Sequence, residues 1–256
     1  MSRTVDLKKL LDSWPYDPDD NVRLVEGDDG REILQVRLPS GIEQYEVKGR
    51  PDGERPHGYE SLLDYHLDRL RQAQAEGAEE EFALDHEACA ELFFEGTLYY
   101  YRYLHFFQLK EWRRTLRDTT RNIRLFDFVH RYAEREEDRM YLEQWRPYIL
   151  RIQAVAAAMV EIEKGHFDKG QVLIRRAIRR IERLEELDDE TFKFELQRSL
   201  IALRELAGQI EASRPLSRIE RLERELRQAI EAQAFERAAE LRDQIRALRE
   251  EQSDEA

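Results

Sequence analysis

One cysteine stands in a chain of 256 residues. Cys89 alone can form neither an internal disulfide nor a multi-thiolate zinc site, and a reducing cytosol is the simplest compartment for such a chain. Long apolar runs are missing too. No window approaches the roughly 18 apolar residues that span a bilayer, and the opening Met1-Ser-Arg-Thr-Val-Asp-Leu-Lys-Lys-Leu-Leu-Asp12 scatters charges where a signal peptide needs an unbroken apolar stretch. A soluble, cytoplasmic protein is expected. Glycine and proline are scarce, at 11 and 7, and 38% of residues are charged, a composition that favours a helix-rich globular fold with a heavily solvated surface over disorder. Positive charge is in deficit. A formal net charge of -13 opposes non-specific binding to phosphate backbones, which rests on cationic neutralisation, and leaves such binding to a local basic stripe.

The signatures of common catalytic sites are also absent. The six histidines, at positions 57, 66, 86, 105, 130 and 166, form no His-Glu-x-x-His pair, and the proximity of His57, Glu60 and His66 reads as chance. A Gly-x-Ser-x-Gly nucleophile elbow does not occur. Acidic pairs such as Glu136-Glu137 and Asp188-Asp189 read as solvated helix faces. No enzyme activity, metal or cofactor is expected.

What is present falls into three parts. Residues 1–58 carry an antiparallel meander and a loop. Leu34, Val36 and Leu38 alternate with Gln35 and Arg37, while Gly27-Asp-Asp-Gly30 and Pro39-Ser-Gly41 supply turns between three short strands. Three such strands are unstable alone and must pack on something helical. The following Gly49-Arg-Pro-Asp-Gly-Glu-Arg-Pro-His-Gly58 interrupts any regular element and reads as a connector, although Arg50, Asp52, Arg55 and His57 are capable of contacting a ligand.

Residues 59–213 turn to helical periodicity. Asp85 is positioned to cap a helix carrying Leu92, Tyr99, Tyr103 and Phe107, and further helices are predicted over about 112–131, 148–164, 167–187 and 191–212. The aromatic Leu98-Tyr-Tyr-Tyr-Arg-Tyr-Leu-His-Phe-Phe107 reads as core, with a peptide groove as the functional alternative. Trp112, Phe167 and Phe235 each precede a small residue by three positions, at Thr115, Gly170 and Ala238, as in helical hairpins whose corner is plugged by an aromatic ring. Lys164-Gly-His-Phe-Asp-Lys-Gly170, followed by Ala177, resembles the corner and second helix of a tetratricopeptide repeat, which implies a tetratricopeptide-like helical domain. Two basic stripes, including Arg113, Arg117 and Arg121 on one helix and Arg176 and Arg180 on another, read as solvated faces paired with nearby Glu and Asp, with contact to nucleic acid or an acidic partner as the functional alternative.

Residues 214–252 form a helical hairpin. An apolar stripe through Leu216, Ile219, Leu222, Leu226 and Ile230 is answered, beyond Ala232-Gln-Ala234, by Phe235, Ala238, Ala239, Leu241, Ile245 and Leu248. So small a core leaves an apolar edge that should seek a partner or dock on the main body of the chain. Phe235-Glu-Arg-Ala-Ala-Glu-Leu-Arg-Asp-Gln-Ile245, supported by Leu222, Leu226 and Ala229, resembles the UVR motif of excinuclease subunits B and C and of certain bacterial Clp protease regulators. The resemblance implies a contact between proteins in which the hairpin pairs antiparallel with another UVR hairpin. The partner would be a second copy, an excinuclease subunit or a Clp-type unfoldase. Arg242 and Asp243 would set orientation at the rim.

The rest of the chain lacks what those enzymes need. There is no phosphate-binding loop ending in Gly-Lys-Ser/Thr, no visible nuclease signature, and no paired-cysteine zinc cluster. The expected fold is therefore mainly α, with the small β meander and the tetratricopeptide-like body before the UVR hairpin. The expected function is that of a bacterial, non-enzymatic interaction or adaptor protein. The alternative is a nucleic-acid-associated accessory factor of DNA repair.

Overall fold

The computed structural model describes residues 6–215 and 218–254, with side chains described through 215 and over 219–249. The first five residues of the N-terminal segment considered above lie outside the described residues. The chain divides into two units, Met1–Gly208 and Gln209–Ala256.

In the first unit a short helix, α1 (Lys8–Ser13), precedes strands β1 (Val22–Glu26), β2 (Glu32–Leu38) and β3 (Gly41–Glu46). They form an antiparallel meander in the order β1-β2-β3, with Leu24 opposite Leu34 and Leu34 opposite Tyr45. Gly30, at φ +76°, takes a backbone position that a side chain would strain, and it lets the β1–β2 turn close. Val22, Leu34, Val36, Tyr45 and Val47 bury their side chains around Phe106, so the sheet gains its second layer from a helix. Sheet and helices thus share one unit.

The helices are α2 (Leu62–Glu76), α3 (His86–Gln108), α4 (Trp112–Tyr132), α5 (Glu136–Tyr141), α6 (Arg146–Glu163), α7 (Phe167–Ile181) and α8 (Glu190–Ser213). Their starts are specified locally. Ser61 accepts from Asp64 N at 3.1 Å, Asp85 from Ala88 N at 2.8 Å and Asp189 from Phe192 N at 2.8 Å, each satisfying an amide that the helix leaves unpaired. Helix α4 packs against α3 and α6, and α6 against α7. Leu92, Leu125, Val129, Ile149 and Ala156 are buried within this body.

Charged groups inside this unit are tied into closed sets. Arg102, almost wholly buried, donates to both Asp118 oxygens at 2.7 and 2.9 Å and to the carbonyls of Glu46 and Gly49 at 2.7 and 2.8 Å. Glu95, fully buried, accepts from the first amides of α2, Leu62 N at 2.7 Å and Leu63 N at 3.1 Å, and pairs with Arg121 and with Arg50 at 3.5 Å. A carboxylate at a helix N-terminus answers both the orphan amides and the helix dipole. The Gly49–Gly58 loop is fastened by these groups. His57, at φ +52°, stacks on Tyr65 with ring centroids 4.1 Å apart.

Three helix corners share one backbone design. Lys110, Gly165 and Gln233 all have positive φ, at 60°, 82° and 57°. In each corner the following residue donates its amide to a carbonyl five positions back: Glu111 to Phe106, His166 to Glu161 and Ala234 to Ala229, at 2.8, 2.9 and 2.8 Å. That is the Schellman termination, and the next helix begins one residue later at Trp112, Phe167 or Phe235. The small residue three positions on is buried in all three. At Gly170 the reason is visible, because an added Cβ would lie 3.0 Å from Ile162 Cγ1 and 3.3 Å from the Ala158 carbonyl oxygen.

The tetratricopeptide resemblance is not confirmed. Helices α6 and α7 make the antiparallel hairpin expected around Gly165, but α5 and a 3-10 turn at Glu143–Trp145 stand between α4 and α6 and break the serial repeat of helix pairs. The acids Glu136, Glu137 and Asp138, of which the first two read as a solvated face, occupy the first turn of α5, where they oppose the positive end of its dipole.

Candidate protein-interaction hairpin

The second unit contains α9 (Arg218–Glu231) and α10 (Phe235–Asp254), packed side by side. Ala232 to Ala234 reverse the chain, with Ala234 N on Ala229 O at 2.8 Å and Gln233 N on Ile230 O at 3.0 Å. Alanines at 229 and 238 keep the facing helices close. Together with Leu241 they form a small core, flanked by Leu222 and Leu226. Ile245 is buried as well and Leu248 half-buried. Two interhelical ion pairs, Glu223 with Arg249 at 2.7 Å and Glu225 with Arg237 at 3.6 Å, border this core.

The expected apolar stripe is therefore split in two. Ala238, Leu241 and Ile245 face α9, whereas Ala239 is exposed, Phe235 is 70% exposed and Ile230 is 53% exposed. Arg242 and Asp243 are also exposed, and Asp243 lies 3.6 Å from Arg246. Leu216, which opens the sequence stripe, lies outside the described residues.

The contrast among the corner aromatics is informative. Trp112 is buried and stands edge-on to Phe107 with centroids 5.3 Å apart, and Phe167 is half-buried. Phe235 occupies the same place in the same hydrogen-bond pattern, yet most of its ring meets solvent.

The family model described as the UvrB/uvrC motif, UVR, matches residues 217–251. This segment is a UVR motif. The match covers α9, the turn that carries Gln233 and α10 as far as residue 251, and the buried Ala229, Ala238 and Leu241 lie inside it. No curated protein and no solved structure matches the chain.

The two basic stripes sit in the first unit. Arg113 is exposed. Arg117 donates to Asp118 at 2.8 Å and to the Val47 carbonyl at 2.9 Å, and Arg121 is committed to buried Glu95 with its guanidinium 4.0 Å from the Tyr99 ring centroid. These two arginines help fasten the sheet and loop to the helices. On α7, Arg176 and Arg180 are exposed.

The histidines and the cysteine are dispersed. Burial pushes the His66 imidazole down to about 4, with Arg69 and His57 adding to the effect, and burial pushes the Cys89 thiol up to about 12. Among the described residues, no group of three or more His, Cys, Asp and Glu is arranged to hold a metal, and no helix is long and apolar enough to cross a membrane. The features that sequence reasoning missed are buried charges, above all Arg102 and Glu95. Arg102 is the one Arg or Lys of α3 and sits inside its tyrosine run, a signal that could have marked it, whereas Glu95 follows Glu87 and Glu91 at the same four-residue spacing and does not stand out.

Proposed function

We propose that this protein is a non-enzymatic, cytoplasmic interaction or adaptor protein of bacteria that docks through its UVR hairpin. The observation carrying the proposal is the exposure of Phe235 at a corner whose two counterparts bury or half-bury their aromatic rings. Burying an exposed phenylalanine side chain on association contributes roughly 1.5–3 kcal/mol, and exposed aromatics of this kind serve as interface anchors. Ile230 and Ala239 extend the apolar surface, and Arg242 and Asp243 supply charges of both signs for orienting a partner. Leu222, Leu226, Ala238, Leu241, Ile245 and Leu248 support that surface from within the hairpin.

The proposed partner is another UVR hairpin, carried by a second copy, an excinuclease subunit or a Clp-type unfoldase. The test is pairwise biolayer interferometry of the intact chain and its Phe235→Asp variant against these three purified candidates. Binding to at least one that is lost in the variant supports the reading. Equal binding by both proteins, or none to any candidate, overturns it.

A further inference from the structure

Away from the hairpin, the aromatic helix α3 forms one wall of a half-open cavity of about 660 Å³, closed by α4, α5, α6 and α8. That size suits a small ligand. Phe93 and Tyr100 stand two turns apart on α3, about 10 Å along its axis, and give the cavity two different ends. At the first, Phe93 stacks on Tyr141 with centroids 4.5 Å apart. At the second, Tyr100 packs on Tyr148 at 6.0 Å, and the Arg151 guanidinium lies 5.2 Å from the Tyr148 ring centroid.

Charge distinguishes the two ends. At the Tyr148 end the buried Glu195 accepts from Arg198, in the lining, at 3.3 Å and from Arg151, behind it, at 3.4 Å. Two guanidiniums thus share one carboxylate, at contacts longer than charge-assisted hydrogen bonds ordinarily have, and one positive charge is left over. Burial lowers Arg151 from its ordinary value despite Glu195, and Arg198 pushes the same way. Among the described residues Arg198 meets a carboxylate only through Nη1, so the rest of its exposed guanidinium is open to a second one. The opposite sign stands at the Tyr141 end. Tyr141 borders an adjoining hollow that holds Glu137, Asp188 and Asp189, of which Asp188 pairs with Lys193 at 2.6 Å and Asp189 caps α8. Asp189 precedes Arg198 by about 13 Å along α8. A guest with a ring and a negative charge is therefore oriented, its ring toward Tyr141 and its charge toward Arg198.

We propose that this cavity binds a small arylalkanoate, its ring among Phe93, Tyr100 and Tyr141 and its carboxylate on Arg198. Equilibrium dialysis of the full-length protein tests 3-phenylpropionate, its amide as an uncharged isostere, 2-phenylethylamine as a cation, and the peptide N-acetyl-Ala-Ala-Phe, which carries the same ring and carboxylate at a chain end. The expected result is saturable binding of the acid with a Kd below about 1 mM, roughly tenfold weaker binding of the amide and the amine, and weaker binding of the peptide. Arg198→Gln leaves Glu195 paired with Arg151, and it is expected to lower the affinity for the acid to that for the amide with an unchanged circular dichroism spectrum. Glu137→Gln, at the other end, should leave the affinity for the acid unchanged or raise it. The proposal is overturned if the acid fails to saturate, if the amide or the amine binds as well, or if the peptide binds more tightly. It is equally overturned if Arg198→Gln keeps the preference for the acid or if Glu137→Gln weakens its binding.

Discussion

At the residue scale, the same chemistry plays opposite parts according to what surrounds it. Phe235 and Trp112 follow identical hydrogen-bonded corners, but one ring lies in solvent and the other in a core. Because Phe235 contributes little to its own hairpin's packing, Phe235→Ala should leave the melting temperature within a degree or two. It should weaken association by roughly 10- to 100-fold, readable by calorimetric titration. Glu95 is the converse case. It accepts two backbone amides and faces two arginines with no solvent exposure, so Glu95→Leu should cost roughly 3–5 kcal/mol in urea unfolding by leaving Arg121 and Arg50 uncompensated. His66 gives a pH signature. Its folded value of about 4 lies below the ordinary 6.5, so the stability it confers is complete above pH 6.5 and is lost as pH falls toward 4, where the unfolded chain binds the proton first. The loss should be on the order of 1–3 kcal/mol over that interval and should flatten in His66→Leu, as measured by denaturant titrations at stepped pH.

At the element scale, the repeated corner was legible in part. The aromatic residue and the small residue three positions later could be read at Trp112, Phe167 and Phe235, as could the caps at Asp85 and the alternation of Leu34 with Gln35. The left-handed residue two positions before each aromatic could not, because Lys110, Gly165 and Gln233 share no side-chain type and only one is the glycine that such a position favours. Helix α5 escaped for a related reason, since a single turn and a half offers too few residues to establish a period. The strained position in the hairpin can be relieved. Gln233→Gly removes the penalty of a side chain at φ +57° and should stabilise the C-terminal hairpin by about 1 kcal/mol, seen as slower amide exchange in α9 and α10. Faster exchange in that variant would show that the αL strain is not the dominant local term.

At the scale of the whole molecule, the chain joins a large unit with an extensive core to a small helical hairpin whose core is built on Ala229, Ala238 and Leu241. The sequence showed the hairpin clearly because its alanines and leucines recur at spacings of three and four, and the family match falls on the same residues. It did not show that Arg117, itself exposed, and Arg121 pair with the buried carboxylates of Asp118 and Glu95, since a basic stripe reads alike whether its partners are water, phosphate or buried carboxylates. The two cores differ in size, so amides of residues 218–254 should exchange with solvent faster than those in the middle of α3 and α4, a difference mass spectrometry of deuterated peptides resolves directly. The central claim is that association runs through the UVR hairpin and its exposed phenylalanine. Sedimentation velocity of the intact chain, alone and mixed with the three proposed partners, tests it most directly when Phe235→Asp is compared with Phe94→Asp, an equally drastic change at an exposed aromatic of the first unit. The account predicts a complex that persists in Phe94→Asp and disappears in Phe235→Asp. A complex that survives Phe235→Asp would contradict it.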